Sequence, residues 1–217
     1  MIQLYVERRR IVIRTKQHGV IAGASERAKL RRRFEQSLSS QMRYTENFSL
    51  PISETTLKHM ITKYSEQRVF QPLNEIRYWF TYESGAYVEP GYPPLFYSGG
   101  NTKDRSPNKS VVSAIGEGIA GFLMQRLYRC TMLARPNNEK PDIVLEDANR
   151  TYLVEAKATM KSLDRIHDVV DQTLSSMATV FLSALLLDVR PPCGIVAGTY
   201  IQSETEYYVC LTEMVTL

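Results

Sequence analysis

Two short segments of this sequence carry charged residues at a spacing that suits metal-dependent chemistry. Asp142 opens one predicted strand, and Glu155 and Lys157 end the next, with twelve residues between Asp142 and Glu155. Side chains two apart on a strand point to the same face, so we expect Glu155 and Lys157 to project together. Counted outward from Ala148 in the connecting turn, Asp142 falls opposite the end of the second strand. The sequence therefore predicts two carboxylates and an ammonium in one patch.

The chemistry of such a patch follows from its charges. Two carboxylates at contact distance repel, and the pKa of each is raised unless a cation lies between them. A hard divalent ion such as Mg²⁺, which takes oxygen ligands, relieves this repulsion. The ion also binds a phosphate oxygen and lowers the pKa of a bound water, and a neighbouring ammonium such as that of Lys157 can orient this water. The pattern favours metal-assisted chemistry at a phosphate.

The elements that must hold these residues divide the chain into two regions. With 217 residues, 43% of them hydrophobic, the chain is long enough for one full-sized domain with an extension. A stretch rich in Pro and Gly over residues 89–109 predicts a connection between a basic, aromatic-bearing α+β region at 1–100 and a second region at 110–217. In the first region we predict an extended segment at 4–13, a basic helix at 24–42 and a helix capped by Ser53.

In the second region, predicted helices and strands are interspersed. This order predicts an α/β sandwich around a mixed sheet. Its predicted order is helix 111–128, strands 130–134, 142–146 and 151–157, helix 162–187, and strands 195–201 and 207–212.

At the charged patch the chain resembles the PD-(D/E)xK phosphodiesterase superfamily, the restriction-endonuclease-like nucleases. Pro141-Asp142 and Glu155-Ala156-Lys157 match its motif, and the predicted order of elements over 111–201 is similar to its common core. The resemblance implies a restriction-endonuclease-like core, a mixed central sheet flanked by helices, at 110–217. It also implies that Asp142, Glu155 and the Ala156 carbonyl bind Mg²⁺, with Mn²⁺ as a substitute, and that Lys157 assists the attacking water.

The same resemblance extends to a residue upstream and to the reaction. An acidic residue on the helix before the core often completes the metal site in this family, and Glu117 is the matching residue here. The implied activity is hydrolysis of DNA phosphodiester bonds, by an endonuclease of restriction, defence or repair type that acts alone, as a homodimer or in a larger complex. The Gln-x-x-x-Tyr motif of exonuclease-like branches is not complete, because Gln172 is followed by Ser176.

Charge is distributed unevenly along the chain, whose formal net charge is +4. Residues 1–43 hold eleven Arg and Lys against three Glu, a balance of +8, and the remainder has a balance of −4. A basic end on a mildly acidic body indicates a polyanionic partner such as DNA, or alternatively a solvated basic helix face. The residues expected to contact nucleic acid are Arg27, Arg31, Arg32, Arg33, Lys140 and Gln172.

Two other functions remain open on the sequence. One is a nuclease-like fold that binds nucleic acid without cleaving it. The other is a Rossmann-type dinucleotide-binding protein, because residues 116–121 spell G-x-G-x-x-G. That fingerprint requires an acidic residue at the end of the next strand, and here the corresponding position falls in the loop at 136–140.

The cellular setting is inferred from cysteines and apolar runs. Three widely spaced cysteines fit neither a disulfide framework nor a zinc motif, which predicts a reducing, cytoplasmic compartment. The longest apolar run, 178–187, is half of the ~20 residues that span a bilayer, and residues 1–10 carry no secretory signal. We therefore expect no membrane association.

Overall fold

A mixed seven-stranded sheet forms the centre of the protein, in a computed structural model that describes residues 1–14, 28–83, 108–136, 140–187 and 190–216. Its strands are β1 (Ile2–Ile13), β2 (Glu46–Ile52), β3 (Thr131–Ala134), β4 (Ile143–Glu146), β5 (Thr151–Thr159), β6 (Pro192–Ile201) and β7 (Glu206–Thr216). The helices are α1 (Ala28–Leu38), α2 (Glu54–Tyr64), α3 (Pro72–Glu83), α4 (Lys109–Tyr128) and α5 (Leu163–Leu187), and a 3₁₀ turn, Ser39–Gln41, follows α1.

The strands lie in the order β2-β1-β7-β6-β5-β4-β3. Two neighbouring pairs, β1 with β7 and β5 with β6, are parallel, and the other pairs are antiparallel. A parallel pair needs a long crossover, and α5 supplies it between β5 and β6. The α/β architecture with a mixed sheet and flanking helices is therefore confirmed.

Helices cover both faces of the sheet. One face, here called the α4 face, packs against α2, α3 and α4, and the opposite α5 face packs against α1 and α5. Alternate residues of β7 illustrate the division, since Val209 and Leu211 belong to the α4 face and Cys210 and Met214 to the α5 face.

Strand β1 joins the N-terminal region to the sheet of the second region. At its start Leu4 and Val6 are buried on the α4 face, and at its end Ile11 and Ile13 are buried on the α5 face. Because β1 lies between β2 and β7, residues from both predicted regions contribute to one hydrogen-bonded sheet.

Most predicted elements are present, with small differences at their ends. Ser53 caps α2 as predicted, because its hydroxyl accepts a hydrogen bond of 3.0 Å from the Thr56 N–H. The basic helix is observed as α1, in which Phe34 and Leu38 are buried. The predicted connection falls largely outside the described residues, which omit 84–107.

Two elements were not predicted. Strand β2 contains Pro51, which an edge strand tolerates because one side of its backbone needs no partner. Helix α3 carries Tyr78, Trp79 and Phe80, which are part of the aromatic content of the first predicted region. In the described part of the chain, no helix has the length and apolar character needed to cross a membrane.

Candidate active site

Asp142, Glu155 and Lys157 meet where β4 begins and β5 passes it. Ile143 pairs with Val154, so Asp142 lies beside the following residues of β5. The Ala156 N–H donates a 2.7 Å hydrogen bond to Asp142 Oδ2. Lys157 Nζ lies 2.7 Å from Glu155 Oε1 and 3.9 Å from Asp142 Oδ2. The structure therefore brings together the two carboxylates and the ammonium that the hairpin spacing predicted.

Glu155 is buried with one of its two carboxylate oxygens unsatisfied. The residue is 1% exposed, and Oε2 has no hydrogen-bond partner in the part of the chain that the structure describes. A buried carboxylate oxygen without a partner costs free energy, because hydration is lost without replacement. A cation or a hydrogen-bond donor at Oε2 would offset that cost.

The acidity of Asp142 is altered by burial and by neighbouring charges. Burial, together with the charge of Glu155, raises the pKa of Asp142 from 3.8 to about 6. Lys157 and the Ala156 N–H act in the opposite direction, and Glu117 adds a smaller increase. Asp142 and Glu155 are thus two neighbouring, largely buried carboxylates that share one ammonium group. A bound divalent ion would reduce the repulsion between them.

Glu117 lies near this group but has its own hydrogen bonds. Its carboxylate accepts from the Glu66 N–H at 2.8 Å and from the Ser113 hydroxyl at 3.3 Å. Within the described residues, Glu117 does not join Asp142 and Glu155 in a group of ligand atoms that all lie within 4.8 Å of one another. Its influence on Asp142 is therefore electrostatic. The contact with Glu66 was not predicted, since nothing in the sequence places the end of α2 against α4.

The backbone of Ala156 is directed towards the Asp142 carboxylate. The N–H and C=O of one strand residue point to the same neighbouring strand, so the Ala156 carbonyl is directed to the side on which its N–H reaches Asp142. The side chain of Ala156 is buried on the α4 face.

The G-x-G-x-x-G segment lies inside α4 and does not form a strand-to-helix turn. A Cβ added at Gly116 would lie 2.7 Å from Ala158 Cβ, and one at Gly118 would lie 2.6 Å from Ile61 Cγ1. These glycines let α4 approach β5 and α2 closely. The turn that cradles a pyrophosphate in dinucleotide-binding proteins is not formed here.

The residues expected to bind nucleic acid, where the structure describes them, lie in two places. Arg27 is outside the described residues. Arg31, Arg32 and Arg33 are on α1, which packs on the α5 face, and Arg32 and Arg33 are exposed. Lys140 Nζ donates a 2.7 Å hydrogen bond to Ser176 Oγ on α5, and Gln172 is exposed one turn before Ser176.

Three of the N-terminal basic residues are engaged in ion pairs. Arg8 and Arg10 pair with the buried carboxylate of Glu213, and Arg9 pairs with Asp171. The +8 counted from the sequence over residues 1–43 therefore overstates the charge available to a partner. Glu213 was not predicted, although an acid within the buried middle of β7 is the signal that would have identified it.

No protein-family model, curated protein or solved structure matches the chain. The site is therefore interpreted from its own geometry.

Proposed function

We propose that this protein is a Mg²⁺-dependent nuclease that hydrolyses phosphodiester bonds of DNA. The observation that carries the proposal is the buried, unpartnered Oε2 of Glu155, next to Asp142 and within reach of Lys157. This set is the one that the PD-(D/E)xK resemblance implies.

The topology around the site supports a restriction-endonuclease-like core. Helix α4 is followed by β3, β4 and β5, then by α5 as a crossover and by β6. The acidic residues lie at the start of β4 and on β5, and α4 brings Glu117 towards them. The order of elements is similar to that of the family's common core.

The donor set fits a hard divalent ion. Asp142, Glu155 Oε2 and the Ala156 carbonyl would hold Mg²⁺, or Mn²⁺ in its place, because all three offer oxygen and one is buried without a partner. When bound, the ion supplies Lewis-acid polarisation of a phosphate oxygen and a bound water of lowered pKa.

The protein's own residues would position the substrate and the water. Lys157 holds a positive charge beside both carboxylates, where it can orient the attacking water and offset negative charge at the phosphate. The Ala156 N–H fixes the Asp142 carboxylate through Oδ2. Glu117, held by Glu66 and Ser113, adds negative charge near the ion.

The test is cleavage of supercoiled, linear and single-stranded DNA with Mg²⁺, Mn²⁺ or EDTA. We expect cleavage with either ion, and its loss in Asp142→Asn, Glu155→Gln and Lys157→Ala. Glu146→Gln is the matched control, because Glu146 is on β4 and pairs with Arg190 away from the site. Cleavage at the wild-type rate in Asp142→Asn or Glu155→Gln would contradict the proposal.

One observation favours a second function, binding of nucleic acid without cleavage. The Glu155–Lys157 pair is already in direct contact at 2.7 Å, as expected if it serves only to neutralise a buried acid. DNA retardation without cleavage, unchanged in Lys157→Ala, would support this function.

The proposed setting is the cytoplasm, since all three cysteines are buried and free. Cutting both strands of a duplex needs two sites, so a homodimer or a larger restriction, defence or repair complex is part of the proposal.

A further inference from the structure

A second group of ligand-forming side chains lies on the α5 face, away from the proposed nuclease site. It comprises Glu7 on β1, His167 on α5 and Cys210 on β7. One ligand atom from each, a carboxylate oxygen, a ring nitrogen and Sγ, lies within 4.8 Å of the other two. In the described part of the chain, no other group of three or more His, Cys, Asp or Glu meets this limit.

We propose that Glu7, His167 and Cys210 bind a zinc ion. Tetrahedral Zn²⁺ has bonds of about 2.0–2.3 Å to oxygen, nitrogen and sulfur, so ligand atoms around it lie ~3.3–3.8 Å apart. The three ligand atoms lie within 4.8 Å of one another, and the direct contact between His167 Nε2 and Glu7 Oε1 would have to open to admit the ion. The thiolate selects zinc over Mg²⁺ and Ca²⁺, which prefer oxygen ligands.

The backbone fixes two of the three ligands in advance. Glu7 and Cys210 are directly paired across the parallel β1–β7 ladder, so their side chains leave the sheet side by side. The Nε2 atom of His167 contacts Glu7 Oε1, which brings the ring from α5 onto this pair. The site thus joins three separate elements.

The histidine ring is also held from behind. Tyr44 stacks on His167 with ring centroids 5.2 Å apart, and Arg9 lies over the Tyr44 ring at 4.6 Å. Arg9 in turn pairs with Asp171, one turn after His167 on α5. These contacts restrict movement of the His167 ring.

The chemistry of Cys210 fits a ligand that exchanges a proton for metal. Its Sγ lies 3.5 Å from the Gly198 carbonyl oxygen, to which the thiol donates. Burial raises the pKa of this thiol and Glu7 adds to the rise, while a hydrogen bond with Tyr44 and the charge of Arg9 oppose it. Zinc would displace the thiol proton to solvent, and its positive charge would offset the charges of the buried thiolate and of Glu7.

The site is open on one side. The side chains of Glu7 and His167 are 24% and 30% exposed. A surface groove of about 440 Å³, lined by Glu7, Tyr5, Phe48 and Tyr208 among others, adjoins the group. Three protein ligands and an open fourth position for water are therefore expected.

The site is separate from the proposed nuclease centre. Glu7, Cys210, Gly198 and Lys157 form one row across β1, β7, β6 and β5, so Glu7 and Lys157 are three strand spacings apart, ~14 Å. Ile166 and Val170 of α5 pack over Gly198 between the two sites.

The experiment measures zinc by mass spectrometry after chelator treatment and reloading, and repeats the loading with Co²⁺ to detect a cobalt–thiolate absorption band. We expect one equivalent of zinc, a thiolate band, and a higher melting temperature with zinc. Cys210→Ser should lose the band and the ion, whereas Cys193→Ser, another buried cysteine on the opposite face, should retain both.

His167→Gln and Glu7→Gln provide the test if Cys210→Ser does not fold, since both side chains are partly exposed. We expect them to melt like the wild type in EDTA, with an apparent Kd for zinc raised beyond the ~10–100-fold that loss of an outer contact costs. Asp142→Asn should keep the zinc, so failure of the nuclease proposal would leave this result unaffected. Substoichiometric zinc, or a thiolate band that persists in Cys210→Ser, would overturn the proposal.

Discussion

Asp142 and Glu155 share a single ammonium group, because Lys157 Nζ lies 3.9 Å from Asp142 Oδ2 and 2.7 Å from Glu155 Oε1. One positive charge thus faces two negative charges, and the pKa of Asp142 rises to about 6. The site therefore stores unfavourable electrostatic energy at neutral pH when no metal is bound.

Asp142→Asn is expected to stabilise the metal-free protein at pH 7. As pH rises from 3.8 to about 6, the unfolded state releases the Asp142 proton before the folded state does. The folded state then binds more protons, so its stability falls with pH over this window. Removing the acid should recover on the order of 1–3 kcal/mol at pH 7 and nothing below pH 4, measured by urea unfolding in EDTA.

Asp147→Asn is the control of opposite sign. Burial acts to raise the pKa of Asp147, but hydrogen bonds from the N–H groups of Asn149 and Arg150 and from the Tyr152 hydroxyl outweigh it and leave the pKa lowered. The Asp147 carboxylate contributes stability at neutral pH that is lost as pH falls. Its removal should therefore destabilise the folded protein at pH 7. An equal change in the free energy of unfolding for Asp142→Asn and Asp147→Asn would contradict the opposite pKa shifts of these two residues.

Replacing Arg31, Arg32 and Arg33 by Ala is expected to weaken DNA binding while cleavage at saturating DNA persists. Each lost phosphate contact should flatten the slope of log affinity against log salt by ~0.9. The measurement is DNA retardation over a range of salt concentrations. A matched triple, Lys58→Ala, Lys63→Ala and Arg68→Ala, removes the same charge around α2 on the opposite face. An equal loss of affinity in both triples would count against a specific role for α1.

Glu213→Ala is expected to destabilise the fold by about 3–5 kcal/mol. Glu213 is 2% exposed and accepts from Arg8, Arg10 and the Tyr128 hydroxyl, so its removal takes this acceptor from three donors, of which Arg8 keeps Glu46. Urea unfolding measures the loss. Glu46→Ala removes the exposed partner of Arg8, 57% exposed, and should cost less than ~1 kcal/mol.

Gly118→Ala is expected to destabilise, although Gly→Ala in a helix normally adds stability. The new Cβ would lie 2.9 Å from the Ile61 backbone nitrogen, so α2 and α4 must separate. We expect a loss of ~1–3 kcal/mol by thermal and urea unfolding. Ser183→Ala, exposed on α5, is the control and should be neutral or stabilising. A higher stability of Gly118→Ala would show that α2 and α4 can separate at little cost in free energy.

The sequence predicts contacts within a hairpin well and contacts between distant segments poorly. Asp142 and Glu155 could be paired by counting from Ala148, because the turn fixes the register. Glu7 and Cys210 could not, because β1 and β7 are some 200 residues apart and no local pattern states which strands become neighbours.

Buried polar contacts were also beyond the sequence. The ion pairs of Arg8, Arg9 and Arg10 depend on tertiary packing, so the sequence could only count their charges. Similarly, the glycines of 116–121 resemble a phosphate loop in the sequence, and the packing of α4 against β5 and α2 reveals why small residues are needed there.

The position of β1 has a consequence for the order of folding. Its backbone bonds to β2, which follows within about 50 residues, but its other edge pairs with β7, the last of the seven described strands along the sequence. During translation, that edge of β1 stays unpaired until β7 emerges. Until then, Val6 and Ile11 lack their contacts with β7. Contacts of such sequence separation slow folding and prolong exposure to aggregation. We therefore expect the closing of β7 onto β1 to be the late step in the maturation of the nascent chain.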